Sequence, residues 1–260
     1  MDHESPQKRK IKSIQVTFDI IETLDERVKA GVSELADACN VTKSTAHYHL
    51  RTLNELGYVV RDSDGTYELG LRFLRLGRRV QVRQPLYALA KPEIDELIAD
   101  IGERAQLMVR EGDLGAHIYR AVSDRAINTD SDIGSHVHLH ATAAGKAYLA
   151  ELPPDEVESI IQNEGLPRFT PNTITTREGL FDNLRLVREQ RHAFNMEENL
   201  EGLRAVGVAI KRDNTRDVLG ALSVSGPTTR MAGQFLTEDV PSKLKEVAKI
   251  IGIKATYQQI

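Results

Sequence analysis

Lys43, Ser44, Thr45, Tyr48, His49 and Arg51 put cationic and hydrogen-bonding side chains on a short stretch of chain. If that stretch is a helix, they fall opposite the apolar positions Ala46, Leu50, Leu53 and Leu56. Hydroxyls and phenols at such positions suit base edges or phosphate oxygens, which fits Ser44, Thr45 and Tyr48. Lysine and arginine suit phosphates, which fits Lys43 and Arg51. Any one of these side chains could equally belong to a solvated face, so the elements that position them decide the reading.

Those elements are written around the cluster. Residues 13–29 carry apolar positions at helical spacing (Ile14, Phe18, Ile21, Leu24, Val28), and Gly31 is expected to stop that helix. Ser33 is the expected cap of a short helix with Leu35, Ala36 and Cys39 inward. Asn40 and Val41 make a turn, Thr42 caps the next helix, and Gly57 ends it. Tyr58–Val60 and Tyr67–Leu69 then flank Asp62-Ser63-Asp64-Gly65, a hairpin signal, with Arg61 where a wing meets a DNA backbone. This layout is a winged helix-turn-helix, whose second helix enters the major groove by its N-terminal part.

The 260 residues suffice for two domains. A composition 40% hydrophobic and 28% charged is that of a globular protein. No apolar run reaches the roughly 18 residues of a membrane span, and the polar start lacks a secretory h-region. A single cysteine, Cys39, excludes internal disulfides and cysteine-based zinc sites. These features predict a cytoplasmic protein. The net charge of −4 is unusual for a DNA binder, but it is unevenly spread. Residues 1–80 carry 13 Lys/Arg and 12 Asp/Glu, net +1, and the remainder 21 and 26, net −5. Basic clusters stand at Lys8, Arg9, Lys10 and Lys12, and again at Arg72, Arg75, Arg78, Arg79 and Arg83. A small basic module on an acidic body binds phosphates with strong salt dependence. Arginine outnumbers lysine, a mild lean toward a high-salt host.

Residues 70–83 read as a linker helix with Leu71, Leu74 and Val80 on one side, either dimerising the winged module or packing on its own domain. Pro85 and Pro92 punctuate a longer amphipathic stretch, and Pro92 either kinks that helix or starts it. Beyond Gly102, strands are expected at Gln106–Arg110 and Ala116–Val122 around Glu111-Gly112-Asp113, and at Val206–Lys211 and Val218–Ser225. Helices are expected at Thr142–Leu152, Asp155–Asn163, Arg177–Gln190 (with a Thr175/Glu178 capping box) and Thr237–Ile251. Mixed strands and helices without regular alternation predict an α+β fold. The domains are set at 11–70, a linker at 71–85, and 86–260.

Three stretches together carry a family resemblance: GVSELADACNVTKSTAHYHLRTLNELGYV in the winged module, GSHVHLHATAAGKAYLA at 134–150, and EENLEGLRAVGVAI with GALSVSGPTTR at 197–210 and 220–230. In this order they make the chain similar to the IclR family of bacterial and archaeal transcriptional regulators, from about residue 12 to 252. The resemblance implies a GAF-like C-terminal domain that binds a small effector, and dimers or tetramers on palindromic operators. It also implies repression or activation of catabolic genes for aromatic acids, oxo-acids or sugars. It places the effector pocket at Ala143, Ala144, Asn195, Ala205, Ser223 and Ser225. Two physical points agree with it. Serines two apart on a strand share a face, and backbone amides of 143–145 near a helix start suit a carboxylate. The alternative is that the small residues allow close helix packing and the serines satisfy their own sheet.

Asn195 and Ala205 stand where glyoxylate-responsive members often have a carboxylate and a cysteine. The loss of those polar groups points to a different effector, such as a sugar or sugar acid. His136, His138 and His140 alternate, and on an extended segment they would share a face able to hold zinc or nickel. No partnering carboxylate or cysteine is identifiable, so neither metal nor other cofactor is expected. His47 and His49, two apart on a helix, do not face each other.

Enzyme chemistry has little support in the sequence. Cys39 sits at a core position of the helix-turn-helix. Gly145-Lys146 lacks the spacing and following hydroxyl of a phosphate loop, and no serine sits in a nucleophile elbow. Glu197-Glu198 reads as a turn or pocket rim. The expected partners are double-stranded DNA, a small effector and further copies of the chain, without membrane. The alternatives are a constitutive DNA binder whose second domain only oligomerises, and a metal-dependent enzyme carrying a DNA-binding module.

Overall fold

A computed structural model describes residues 11–123, 132–213, 215 and 217–258. Lys8, Arg9 and Lys10 lie outside the described residues. The chain divides into two compact units at Val80/Gln81.

The first unit opens with α1 (Lys12–Arg27), which buries Val16, Ile20 and Leu24. The expected stripe is therefore corrected in part, with Leu24 buried as expected and Ile21 packed against the core. Ile14 and Phe18 are 52% and 55% exposed, and Val28 is exposed beyond the helix end. Two apolar registers overlap in this helix, and the one that meets Leu35, Leu50 and Leu53 is buried. Val28, at φ 67°, ends α1. Gly31 stands instead at the N-cap of α2 (Val32–Ala38), where its amide donates to the Glu34 carboxylate at 2.7 Å. Ser33 is thus inside the helix it was expected to cap. After the turn at Asn40 (φ 51°), α3 (Lys43–Glu55) starts on Thr42, whose Oγ1 accepts from the Thr45 amide at 3.1 Å. Ala46, Leu50 and Leu53 are buried as expected, while Leu56 is exposed at the helix end. Gly57, at φ 74°, turns the chain into the antiparallel pair β1 (Val59–Arg61) and β2 (Tyr67–Leu69), which forms the wing. Next, α4 (Arg72–Arg83) buries none of its side chains, and Leu71, Leu74 and Val80 are all exposed.

In the second unit, α5 (Pro85–Ile101) begins on Pro85 and runs through Pro92. A six-stranded sheet follows in the order β5-β4-β3-β8-β7-β6, with neighbours antiparallel. Its strands are β3 (Arg104–Glu111), β4 (Leu114–Val122), β5 (His136–Val137), β6 (Ala193–Met196), β7 (Leu203–Lys211) and β8 (Val218–Pro227). One face, with Ala105, Leu107, Val206, Val208, Leu222 and Val224, packs on α5 and on the C-terminal helix α9 (Val240–Tyr257). On the other, Met108, Ala193 and Ala221 meet α6 (Ala143–Leu149), α7 (Pro154–Glu164) and α8 (Arg177–Gln190). The fold is α+β, as expected. Two details differ. The cap of α8 is Thr176, whose Oγ1 accepts from the Gly179 amide, while Thr175 accepts from Arg168. The last helix follows a wider turn at Phe235–Asp239 and runs on to Tyr257. Among the described residues no helix is long and apolar enough to cross a membrane.

Candidate DNA-reading helix and effector pocket

The buried side of α3 fixes which side faces out. With Ala46, Leu50 and Leu53 in the core, Lys43, Ser44, His47, Tyr48 and Arg51 stand in solvent, and Tyr48 is 67% exposed. Arg51 donates from Nε to Glu55 at 2.8 Å, one turn along the helix. Arg61 is exposed on the wing, its guanidinium 5.9 Å from the Tyr67 ring centre. Two members of the expected set are half-buried and engaged by other side chains of this unit. The Thr45 hydroxyl is 2.8 Å from that of Thr42, and His49 Nδ1 is 2.9 Å from Thr17 Oγ1 on α1. Both build the helix start and its seat on α1. Conversely, His47 is exposed beside Tyr48, ring centres 6.4 Å apart. Its spacing of four from both Lys43 and Arg51 is the signal that marks it.

The expected pocket residues come together on one sheet face, all of them buried. Asn195, Ala205, Ser225 and Arg104 form a continuous row across β6, β7, β8 and β3. Gly207, Ser223 and Gln106 form the next row. The side chains of this row pair do not play equal parts. Asn195 is engaged on both sides: its Nδ2 donates to the Ala141 carbonyl at 3.0 Å and its Oδ1 accepts from the Glu198 amide at 2.8 Å. It ties β6 to the turn before α6. The small residues serve close approach. A Cβ on Gly207 would lie 2.3 Å from the Ala143 carbonyl carbon, and one on Gly145 2.2 Å from the Leu139 oxygen. The Gly145 amide is already bound to Thr142 Oγ1 at 3.0 Å, so it is not a free donor for a carboxylate.

Three further polar groups of this region had no signal beyond their position in otherwise apolar strands. Arg104 donates from Nε to Ser225 Oγ at 3.1 Å, while its buried Nη1 has no partner. Burial, with Arg120 nearby, pushes the guanidinium down to about 10. Gln106 is buried opposite Ser223. Buried His117 leaves Nδ1 without a partner, and burial beside Arg104 pushes its imidazole down to about 4. Nearby, Lys146 and Glu198 form a buried ion pair with contacts of 2.6 and 2.5 Å. Burial pulls the Lys146 ammonium down and Glu198 opposes it.

The three alternating histidines do not share a face, because β5 ends at Val137 and a tight turn at Leu139–Ala141 follows. His136 Nε2 lies 2.6 Å from Glu111. His138 and His140 meet edge to face near Phe169, their ring centres 5.8 Å apart, and His140 Nε2 lies 3.1 Å from the Pro167 carbonyl. Among the described residues no group of three His, Cys, Asp or Glu is placed to hold a metal ion.

Comparison with known proteins gives a match for each of the two units. Residues 13–63 match the IclR helix-turn-helix domain, and residues 79–252 match the bacterial transcriptional regulator IclR C-terminal domain. The probable HTH-type transcriptional regulator ArcR of Halobacterium salinarum is 31% identical over 249 residues, covering 95% of this chain and 94% of that one. The crystal structure of Thermotoga maritima IclR superposes with a TM-score of 0.80 at 30% identity, over 95% of this chain and 98% of that chain. An IclR homologue from Microbacterium hydrocarbonoxydans, solved with 4-hydroxybenzoate, shares the fold at 22% identity, with a TM-score of 0.79 over 95% and 99% of the two chains. The chain belongs to the IclR family, and is a helix-turn-helix, DNA-binding regulator of transcription with an IclR C-terminal domain rather than an enzyme.

Proposed function

We propose that this regulator reads its operator through Ser44 and Tyr48 on α3, with Lys43, Arg51 and the wing Arg61 on phosphates, and that a small molecule bound over Ser223 and Ser225 controls that binding. The observation that carries the DNA reading is the sidedness of α3. Its polar face is exposed from the first turn onward, while Thr45 is engaged by the cap residue Thr42 and His49 by Thr17 of α1. The effector reading is supported by the buried polar rows of β8 and β3, and by the neighbour of the same fold solved with 4-hydroxybenzoate.

The working form is a homodimer, or a dimer of dimers, on a palindromic operator in the cytoplasm. Exposed Ile14 and Phe18 on α1 and exposed Leu71 and Leu74 beside and on α4 are apolar surface that a second copy would cover. Two-fold symmetry then requires half-sites related by about one helical turn or a multiple of it. Effector binding shifts the equilibrium between dimer arrangements, and operator and effector affinities are reciprocally coupled.

Operator titrations of Tyr48→Ala and Ser44→Ala test the DNA reading. Each is expected to lose about 1–3 kcal/mol on the operator and little on random DNA if it reads a base. Equal affinity of wild type and variants on the operator removes that residue from the reading surface. Replacing Thr45 or His49 is expected to act through helix stability instead, seen as a lower melting temperature.

A further inference from the structure

Among the described residues, Arg104 is a buried cation without an answering anion. It is 4% exposed, Ser225 occupies its Nε, and its Nη1 is shut away from water with no partner. Among the described residues no carboxylate pairs with it. Asp132 is taken by Arg120 at 3.1 Å, and Glu198 by Lys146. Among the described residues, the ionisable groups that act on it or respond to it are Arg120 and His117, both proton-binding groups. A lysine or histidine in this position could escape the cost of burial by shedding its proton. A guanidinium cannot do so at neutral pH. A buried charge left unpaired is strongly unfavourable, so its retention calls for something that repays it.

The surroundings describe what that would be. Arg104 faces Ser225, and Gln106 faces Ser223, on adjacent strands. Strand spacing and a two-residue step make this a polar grid of roughly 5 by 7 Å, the footprint of a small molecule. The Ser225 oxygen accepts from Arg104, which leaves its own O–H free to donate, and Ser223 supplies a second hydroxyl on the same face. Cationic at one corner and hydroxyl-lined beside it, the grid matches a carboxylate with a neighbouring hydroxyl.

We propose that Arg104 is the specificity-determining residue of the effector site and that it selects small hydroxylated carboxylic acids over the corresponding neutral alcohols. The proposal rests on the pocket reading given above. The acid places its carboxylate at the Nη1 end of Arg104 and its hydroxyls against Ser223 and Ser225. An ion–ion hydrogen bond made out of water then offsets the cost of the buried charge.

The test is a thermal-shift and calorimetric comparison of the full chain with matched pairs at constant ionic strength: glycolate with ethylene glycol, gluconate with sorbitol, and 4-hydroxybenzoate with 4-hydroxybenzyl alcohol. The expected result is a saturable rise in melting temperature with at least one acid and none with its alcohol. In Arg104→Met the affinity for that acid falls by about 30-fold or more, while the ligand-free variant melts no lower than wild type. If Arg104→Met fails to fold, Arg104→Lys serves. It keeps the charge but loses the planar fork, and is expected to bind the acid measurably more weakly. An exposed-site control, Arg185→Gln, is expected to bind as wild type does. Ser223→Leu fills the pocket and separates the two readings. If Ser223→Leu abolishes binding while Arg104→Met leaves it unchanged, the pocket stands and the role of Arg104 falls. If acids still bind Ser223→Leu as they bind wild type, the pocket reading falls with it. If no acid is preferred over its alcohol by the wild type, the selectivity proposed for Arg104 is overturned.

Discussion

On α3 the polar side chains stand in water: Lys43, Ser44 and Tyr48 have solvent as their resting partner, and Arg51 pairs with Glu55 while both remain exposed. On the inner face of the sheet Arg104, His117 and Ser223, and on α6 above it Lys146, are excluded from water, and each must be satisfied by protein or ligand. The contrast sets how strictly each region chooses a partner. Exposed groups exchange water for phosphate or base at modest net gain and tolerate substitution. Buried groups have already lost their water, so a missing partner costs the whole desolvation of the group left behind. On the proposed reading, DNA binding by α3 therefore rests on several small contributions. The effector domain rests on a few large ones.

The sharpest break of this comparison is Glu198→Ala. It strands the Lys146 ammonium in the core, and the expected loss of stability is about 3–5 kcal/mol, read by urea denaturation. The double variant Lys146→Met with Glu198→Leu removes both charges and is expected to recover most of that loss. A Glu198→Ala protein as stable as wild type would show that the pair is hydrated and the inner face less sealed than its exposure implies.

Next in size is the response to acid. The unfolded chain protonates His117 near the ordinary histidine value of 6.5, while burial keeps the folded imidazole neutral down to about 4. Between those values the unfolded state binds more protons, so stability falls as pH drops. The His117 share of the loss is up to about 3 kcal/mol, complete near pH 4. Buried His140 and His192 shift in the same direction and add to the slope. His117→Gln is expected to flatten the stability curve between pH 6.5 and 4. An unchanged slope would place the acid sensitivity in other groups.

Gly207→Ala probes the packing that brings α6 to the sheet. Its Cβ would meet backbone atoms of Ala143 and Ala144, neither of which can swing aside as a side chain can. A loss of about 1–3 kcal/mol is expected, with effector response weakened along with the melting temperature. Gly77→Ala on exposed α4, where a Cβ meets nothing within 4 Å, is the control and is expected to be neutral or stabilising.

How much of this was legible in the sequence follows from how local each signal is. Thr42, Gly57 and the Asp62–Gly65 turn act on their own neighbours, and the helix, its end and the wing fall where those residues put them. The α1 stripe did not, because Ile14-Phe18 and Val16-Ile20-Leu24 are both helical registers and tertiary contact with Leu35 and Leu50 picks between them. β6 is four residues long and has no pattern of its own; it is a strand because β7 is beside it. The pocket divides the same way. Ser223 and Ser225 declare a shared face by spacing, and the family resemblance named them. Arg104 lies 121 positions from Ser225, and the β3–β8 pairing that joins them is not written in either strand alone. Asn195, the expected ligand-facing group, is engaged by Glu198 three residues on and by Ala141, 54 positions away, and the second contact is not written in the strand itself.

The smallest expected effect sits on the exposed side of the comparison, at Arg51. Its ion pair with Glu55 is open to solvent on both partners, so water and salt already do much of what the carboxylate does. Arg51→Ala should leave the melting temperature unchanged. If Arg51 also meets a phosphate, its removal weakens binding to operator and random DNA alike, and reduces the salt slope of binding by about 1. Glu55→Ala sharpens the point, because it frees the guanidinium from its helical partner and is expected to strengthen binding to both DNAs at low salt, with the gain vanishing as salt rises. A Glu55→Ala protein that binds no better, together with an unaltered salt slope in Arg51→Ala, would mean that Arg51 points past the backbone. The phosphate contacts would then rest on Lys43 and the wing.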